Sequence, residues 1–453
     1  MSEQNKKVNL TSTVLFTVCS ILVLDTFVAP AIIGVSSITV WIISAIFFFI
    51  PYGLLSSELG ASFPSDGGIV HWVEKAFGEM HGVIVGFLYW VNVAFWMPAV
   101  FTAFSGWLCL ALFPDMPLFV QGIIALAMCW VCVYIGIRGI DVSVSVANFF
   151  AILKMLILVL FGVMGVVYGI KNGLANDFSF SNWIPTVDDT FVYVGTIVYN
   201  LLGFELIASI GDKIENPKTT IPKMTIVAGA AITFLYAFGT FGVLAAINAA
   251  EVDEVDGFVY ALQELCSIFG GAQNAVFYIL IALSISTLVA NMITWMLGAN
   301  EAFQGAELDT RSPFLAKRHP KYGTSVNLYL LMGILASILI LINYNLSGDA
   351  NDIFWAIFTF ASITFMICYV YLCLAFIKLK YSDKSERAYS VPGGMGGAWI
   401  CFILTLGGVL LALYFLIEWD PSSYVFWMDV IGTAICFGVG YYLYRAGLKK
   451  TTE

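Results

Sequence analysis

The sequence predicts an all-α protein embedded in a membrane and crossing it twelve times. Three observations predict this class. Hydrophobic residues make up 60% of the chain and charged residues 11%, with a mean hydropathy of +0.91, far from the balance of soluble domains. About a dozen runs of roughly 20 apolar residues follow one another, each long enough to cross a bilayer. Drawing those runs as spans sorts the basic residues almost entirely onto one side.

Taken in order, spans are expected near 9–35, 38–60, 80–112, 117–137, 142–170 and 190–210. Six more are expected near 223–248, 273–298, 326–345, 352–375, 397–417 and 426–446. The longest polar connections, 171–189, 249–272, 299–325 and 376–396, read as solvated loops. With twelve spans, 18 of the 20 Lys and Arg residues share one side, from Lys6, Lys7, Lys75 and Arg138 through to Lys449 and Lys450. Only Lys171 lies opposite, and Lys154 lies within a span. Basic loops stay in the cytoplasm, so both termini are expected there, in a multi-pass protein of the cytoplasmic membrane. The acidic loop Glu251–Asp256 then faces outward, and no cleavable signal is expected after Lys6 and Lys7.

The same pattern narrows the function. Cys129 and Cys132 have CxxC spacing but sit on an apolar run with no histidine nearby, so they read as small packing residues. His71, His81 and His319 form no ligand cluster, so no metal and no cofactor is expected. No glycine-rich phosphate loop and no nucleic-acid surface is present. An enzyme would need a nucleophile with its base, or a spacing such as HExxH, and neither occurs. An ion channel would more often show a re-entrant pore loop or rings of charge.

Two spans break the apolar pattern. The sixth carries Gly203 and Glu205 in its middle and ends in the basic turn of Asn216-Pro217-Lys218 and Ile221-Pro222-Lys223. The first carries Asp25-Thr26-Phe27-Val28-Ala29-Pro30, followed by Gly34, Ser36 and Ser37. A carboxylate at that depth costs a few kcal/mol or more, and glycine or proline beside it is where a membrane helix opens to a cavity. Interruptions at corresponding places in two halves point to a transporter built from inverted repeats. The plainer reading of the first span is a proline kink with Asp25 paired to a neighbour.

The motifs around these spans resemble the amino acid–polyamine–organocation superfamily. The resemblance rests on Pro64-Ser65-Asp66-Gly67-Gly68 after span two, Gly203-Phe204-Glu205, the two proline-lysine turns, and His319-Pro320-Lys321-Tyr322-Gly323-Thr324 before span nine. It covers essentially the whole chain. It implies a LeuT-type five-plus-five inverted repeat, 1–175 and 176–380, with two trailing helices in 381–453. Solute would bind between spans one and six, near Asp25, Thr26, Ala29, Ile33, Gly34, Tyr89, Asn92, Tyr199, Leu202, Gly203 and Phe204. Tyr199 stands where the family places an aromatic gate, and Glu205 would couple closure to occupancy or protonation. Lys154 stands where sodium-coupled relatives hold an ion, with Ser286 and Thr287 as matching oxygens, which implies sodium-independent transport. Some twelve positions into its helix, Lys154 is ~18 Å along it, too deep to snorkel.

Three departures bear on the solute. The Gly-Ser-Gly-type turn of span one is absent, an arginine after span eight is replaced by Glu301, and span three is unusually aromatic from Tyr89 and Trp90 to Trp96. They most resemble bacterial amino-acid/amine exchangers. The expected function is secondary transport of an amino acid or amine, by exchange or with protons. A polyamine or other organic-cation permease is the alternative, and an ion channel a distant one. Expected partners are the small solute and membrane lipid, with a homodimer left open. Asp25 is left with two partners, Lys154 or the ammonium of the cargo.

Overall fold

The computed structural model describes residues 7–65, 67–345 and 350–450; Lys6 of the basic group and Asp66 of the glycine turn lie outside them. The described residues are mostly helical, with two isolated bridges, Val8 with Ile214 and Arg318 with Ser325, in place of strands. The first half comprises α1 (Leu10–Ile21), α2 (Ser36–Ser44), α3 (Ile50–Ser62), α4 (Ile69–Phe77), α5 (Glu79–Leu112), α6 (Leu118–Ile137) and α7 (Ile140–Asn172). Then come α8 (Val187–Asn200), α9 (Pro217–Ala246), α10 (Gly257–Cys266), α11 (Gln273–Gln304) and the short α12 (Leu308–Arg311). The chain closes with α13 (Val326–Asn345), α14 (Ala350–Ser382), α15 (Gly394–Leu416) and α16 (Tyr424–Lys450). A π-helical turn, Ala45–Phe49, joins α2 to α3 into one continuous rod.

Among the described residues ten helices are long and apolar enough to cross a membrane. The expected spans missing from that set are 9–35 and 190–210, and both are interrupted. In the first, α1 stops at Ile21, residues 22–28 are non-helical, and a 3₁₀ turn resumes at Ala29–Ile33. Pro30 begins that turn, where its missing N–H leaves no bond unmade. In the second, α8 stops at Asn200 and a 3₁₀ turn, Leu206–Ser209, follows residues 201–205. Gly203 there has φ +129°, and a Cβ on it would lie 3.0 Å from Ile21 and 3.3 Å from Trp295. We call residues 22–28 break one and 201–205 break two.

The breaks lie inside a scaffold whose burial is uneven. Within the apolar window of α5, 89% of residues are buried, against 22% for α15 and 17% for α16, so the last two helices lie at the periphery. Both breaks are pinned at their far ends. Val8 N–H donates to Lys213 O and Glu215 N–H to Val8 O, both at 2.8 Å, tying the start of α1 to the chain after break two. The glycine turn packs there too. Gly68 has φ +48°, and a Cβ on it would come within 3.0 Å of Ser209 N, so close backbone approach and positive φ both require glycine. At the other end, Trp107 Nε1 donates to Val255 O at 2.9 Å and Tyr193 donates to Glu254.

The loop residues near these ends carry shifted acids. Hydrogen bonds from Ser385 and the Lys75 ammonium, 2.9 Å away, hold the Asp383 carboxyl well below the usual carboxylate range. Burial and neighbouring Asp253 push Asp256 up to about 6.

Candidate functional site

Each break brings one carboxylate into the bundle, and the two are treated differently. Asp25 is 5% exposed, and neither of its oxygens has a hydrogen-bond partner in another residue. Its neighbour Thr26 crosses to the second interrupted span: Thr26 Oγ1 donates to Asn200 Oδ1 at 2.7 Å, and Asn200 Nδ2 donates back to Thr26 O at 3.3 Å. Break one is held from behind by Trp295, whose Nε1 donates to Ser20 O at 2.9 Å.

Glu205, 1% exposed, is fully answered by phenols. Tyr52 donates to Oε2, while Tyr89 and Tyr369 donate to Oε1 at 2.7 and 2.6 Å. No basic side chain among the described residues forms an ion pair with it. Three hydroxyl donors satisfy both of its oxygens without a counter-ion, which suits a carboxyl group in a low-dielectric interior.

Tyr199 lines the space beside Asn200. Its ring meets Trp96 edge-on at 6.2 Å, Phe358 at 5.0 Å and Phe365 at 5.7 Å. Its hydroxyl reaches Asn92 Oδ1 at 3.5 Å, a long contact, and Asn92 Nδ2 and Trp96 Nε1 are buried without partners. Unanswered polar atoms in a protein interior call for a water or ligand. Such atoms are scattered through the described residues, both oxygens of Asp429 included, and those of Asp25, Asn92 and Trp96 lie around the residues that join the two breaks.

Lys154 is fully buried on α7 and bridges three helices. Its Nζ donates to Cys19 O at 2.8 Å, Leu22 O at 2.6 Å and Asn291 Oδ1 at 2.8 Å. Those three acceptors satisfy an ammonium completely, and no ion pair with Asp25 forms. The lysine and Asp25 still act on each other through space, charge on charge, without a direct contact.

Several expected site residues turn out to have other partners. Ser286 and Thr287 do not supply the oxygen for Lys154: their hydroxyls donate to Leu283 O and Ser284 O of their own helix. Asn291, one helical turn beyond Thr287, faces the lysine instead. The N–H groups of Gly203 and Phe204 are not open to solute, since both donate to Tyr52, at 3.0 and 2.9 Å. Tyr89 serves Glu205. Ile33 and Gly34 lie further along, lining a polar recess of about 270 Å³ with Ser36, Asn176, Asp177 and Asn182. Ala29 is buried at the start of its 3₁₀ turn, and Leu202 is buried within break two. Sequence reasoning missed Tyr52, Tyr236, Tyr369, Asn200, Asn291 and Trp295. A tyrosine in an apolar helix gives no signal that its hydroxyl is in use, although Asn200 and Asn291, as amides at membrane depth, did.

Two interrupted helices that face each other around a buried carboxylate, inside a bundle of apolar spans, define an integral membrane transport protein. The family follows from comparison. The amino acid permease family model matches residues 8–438, and the chain belongs to that family, within the superfamily its motifs resemble. A probable agmatine/putrescine antiporter of Lactococcus lactis subsp. lactis is 30% identical over 449 residues, spanning 96% of this chain and 94% of its own. An aspartate/glutamate permease of Lactococcus lactis subsp. cremoris is 22% identical over 425 residues, spanning 88% and 85%. A probable polyamine transporter of Arabidopsis thaliana is 25% identical over 365 residues, spanning 77% and 66%.

Proposed function

We propose that this chain is a secondary transporter that exchanges an amine, or a basic amino acid and its decarboxylated amine, by alternating access around the two breaks. The observation that carries this reading is the Asp25 carboxylate, buried without a partner in break one. An acid in that setting gives up its charge unless a cation answers it. The Lys154 ammonium spends its hydrogen bonds elsewhere and acts on Asp25 only through space, which leaves the carboxylate oxygens free to meet the ammonium of the cargo. The π-faces of Tyr199, Trp96 and Phe365 suit the same group. The names of two relatives, an agmatine/putrescine antiporter and a polyamine transporter, support a cationic solute.

The architecture behind this reading has twelve spans, with repeats 1–175 and 176–380 and two trailing helices in 381–453. Break one and break two are the corresponding places in those repeats. Lys154 fills the junction of α1, α7 and α11 with its amino group and three hydrogen bonds, which supports sodium-independent transport. Both termini are cytoplasmic in this reading, and the unit requires no cofactor.

Counterflow in proteoliposomes tests it. Vesicles preloaded with unlabelled putrescine or agmatine should accumulate the labelled amine, with no change when sodium is replaced by choline, and empty vesicles should not. Uptake into empty vesicles driven by a proton gradient would replace exchange with symport. No flux of any organic cation would end the reading.

A further inference from the structure

Interrupting a helix strands backbone N–H and C=O groups, and inside a membrane the protein itself must answer them. At both breaks the answer is a tyrosine hydroxyl. Val23 N–H donates to Tyr236 Oη at 2.9 Å, and that hydroxyl lies 2.7 Å from Ile21 O and 3.3 Å from Asn200 O. At break two, Gly203 and Phe204 N–H donate to Tyr52 Oη at 3.0 and 2.9 Å, and its proton goes to Glu205.

The two phenols are placed crosswise. Tyr52 lies on α3, in the rod that follows break one, and serves break two. Tyr236 lies on α9, which follows break two, and serves break one. Both rings are fully buried and clamped by stacking: Tyr236 on Trp41 at 4.4 Å and 11°, Tyr52 on Phe48 at 5.8 Å and 17°. A phenol suits the task, because one oxygen accepts from two N–H groups while donating its proton, on a ring with only two side-chain torsions.

We propose that Tyr52 and Tyr236 are reciprocal positioning residues, each fixing the unwound backbone of the break in the other half of the chain. A shift of the α2–α3 rod is then felt at Gly203–Glu205, and a shift of α9 at Ile21–Val23. Tyr236 adds a direct link, since its hydroxyl stands between an acceptor of break one and the last helical carbonyl before break two. Each break is thereby tied to a helix of the other half by hydrogen bonds that involve no cargo.

The proposal rests on the pairing of the two breaks given above, but its test needs neither solute nor transport. Backbone hydrogen exchange is measured on solute-free protein in nanodiscs, comparing wild type with Tyr236→Phe and Tyr52→Phe. Tyr236→Phe should speed exchange in peptides covering 22–25 about tenfold, the effect of one lost hydrogen bond, and leave 202–205 unchanged. Tyr52→Phe should do the reverse. Loosening confined to the mutated helix, equal loosening of both breaks, or no change overturns the proposal. If a phenylalanine variant does not fold, 3,5-difluorotyrosine at the same position keeps ring and hydroxyl but weakens the acceptor. It should give a smaller change at the same distant break, and none counts against. In vesicles that carry flux, either variant should raise the half-saturating solute concentration more than it lowers the maximal rate. A loss of rate alone is what a merely structural role gives.

Discussion

Break one and break two hold the same kind of residue in the same kind of place and resolve its charge in opposite ways. Glu205 is surrounded by Tyr52, Tyr89 and Tyr369, so its oxygens are answered from within the protein. Asp25 is also buried, and its oxygens accept no hydrogen bond from any other described residue. Burying an unanswered polar atom costs about 1–3 kcal/mol, and more for a charge. Three donors at one acid and no hydrogen bond at the other are what the proposed division of tasks rests on. In the proposed reading, break two is finished as a structure, while break one is completed by the cation of the cargo.

The largest effect expected within this comparison is at the anchor of break one. Lys154→Ala strips donors from Cys19 O, Leu22 O and Asn291 Oδ1 at once. With roughly 1–3 kcal/mol at stake for each stranded group, exchange should be abolished and the Tm in detergent should fall sharply. Normal exchange in that variant would mean that break one is held by other means.

Break two offers a smaller, purely conformational test. Gly203→Ala places a side chain at φ +129° and against Ile21, so about 1–3 kcal/mol of strain is expected. The variant should unfold at lower temperature and exchange more slowly, with its half-saturating concentration for amine moved little. A large loss of affinity at unchanged stability would put solute against Gly203 and erase the division between the breaks.

The smallest effect is expected at the loop that caps break one, where a Cβ on Gly257 would stand 3.1 Å from Val28. Asp256 titrates at about 6 there, raised by burial and by Asp253. An acid raised on folding contributes stability that is fully present below the ordinary aspartate range and is lost as pH rises through about 6. Asp256→Asn should therefore melt with wild type at pH 4 and slightly above it at pH 7.5. A gap that is constant across this range would remove the titration from the account.

The sequence makes some of this visible for a physical reason. Charges at membrane depth are expensive, so Asp25, Lys154 and Glu205 stand out of their apolar runs, while Gly203 lies in break two and Pro30 stands where the first span resumes. Tyrosine carries no such expense. Among 21 tyrosines the hydroxyls of Tyr52, Tyr236 and Tyr369 are indistinguishable from packing until the helices are assembled. The oxygen for Lys154 was missed by one turn of α11, because Ser286 and Thr287 spend their hydroxyls on their own helix. The occupied N–H groups of Gly203 and Phe204 were likewise invisible, since their acceptor lies about 150 residues earlier in the chain.

The central claim is that Asp25 awaits the cargo and Glu205 does not. The most direct test is the affinity of purified protein for putrescine and agmatine in wild type, Asp25→Asn and Glu205→Gln, with neutral amino acids alongside. Loss of one charge-assisted contact predicts about a ten- to hundredfold weaker amine affinity in Asp25→Asn. Any neutral amino-acid binding should be retained, and Glu205→Gln should stay near wild type in affinity while its exchange rate changes its pH dependence. Equal loss for charged and neutral solutes in Asp25→Asn, or amine affinity lost only in Glu205→Gln, would contradict it.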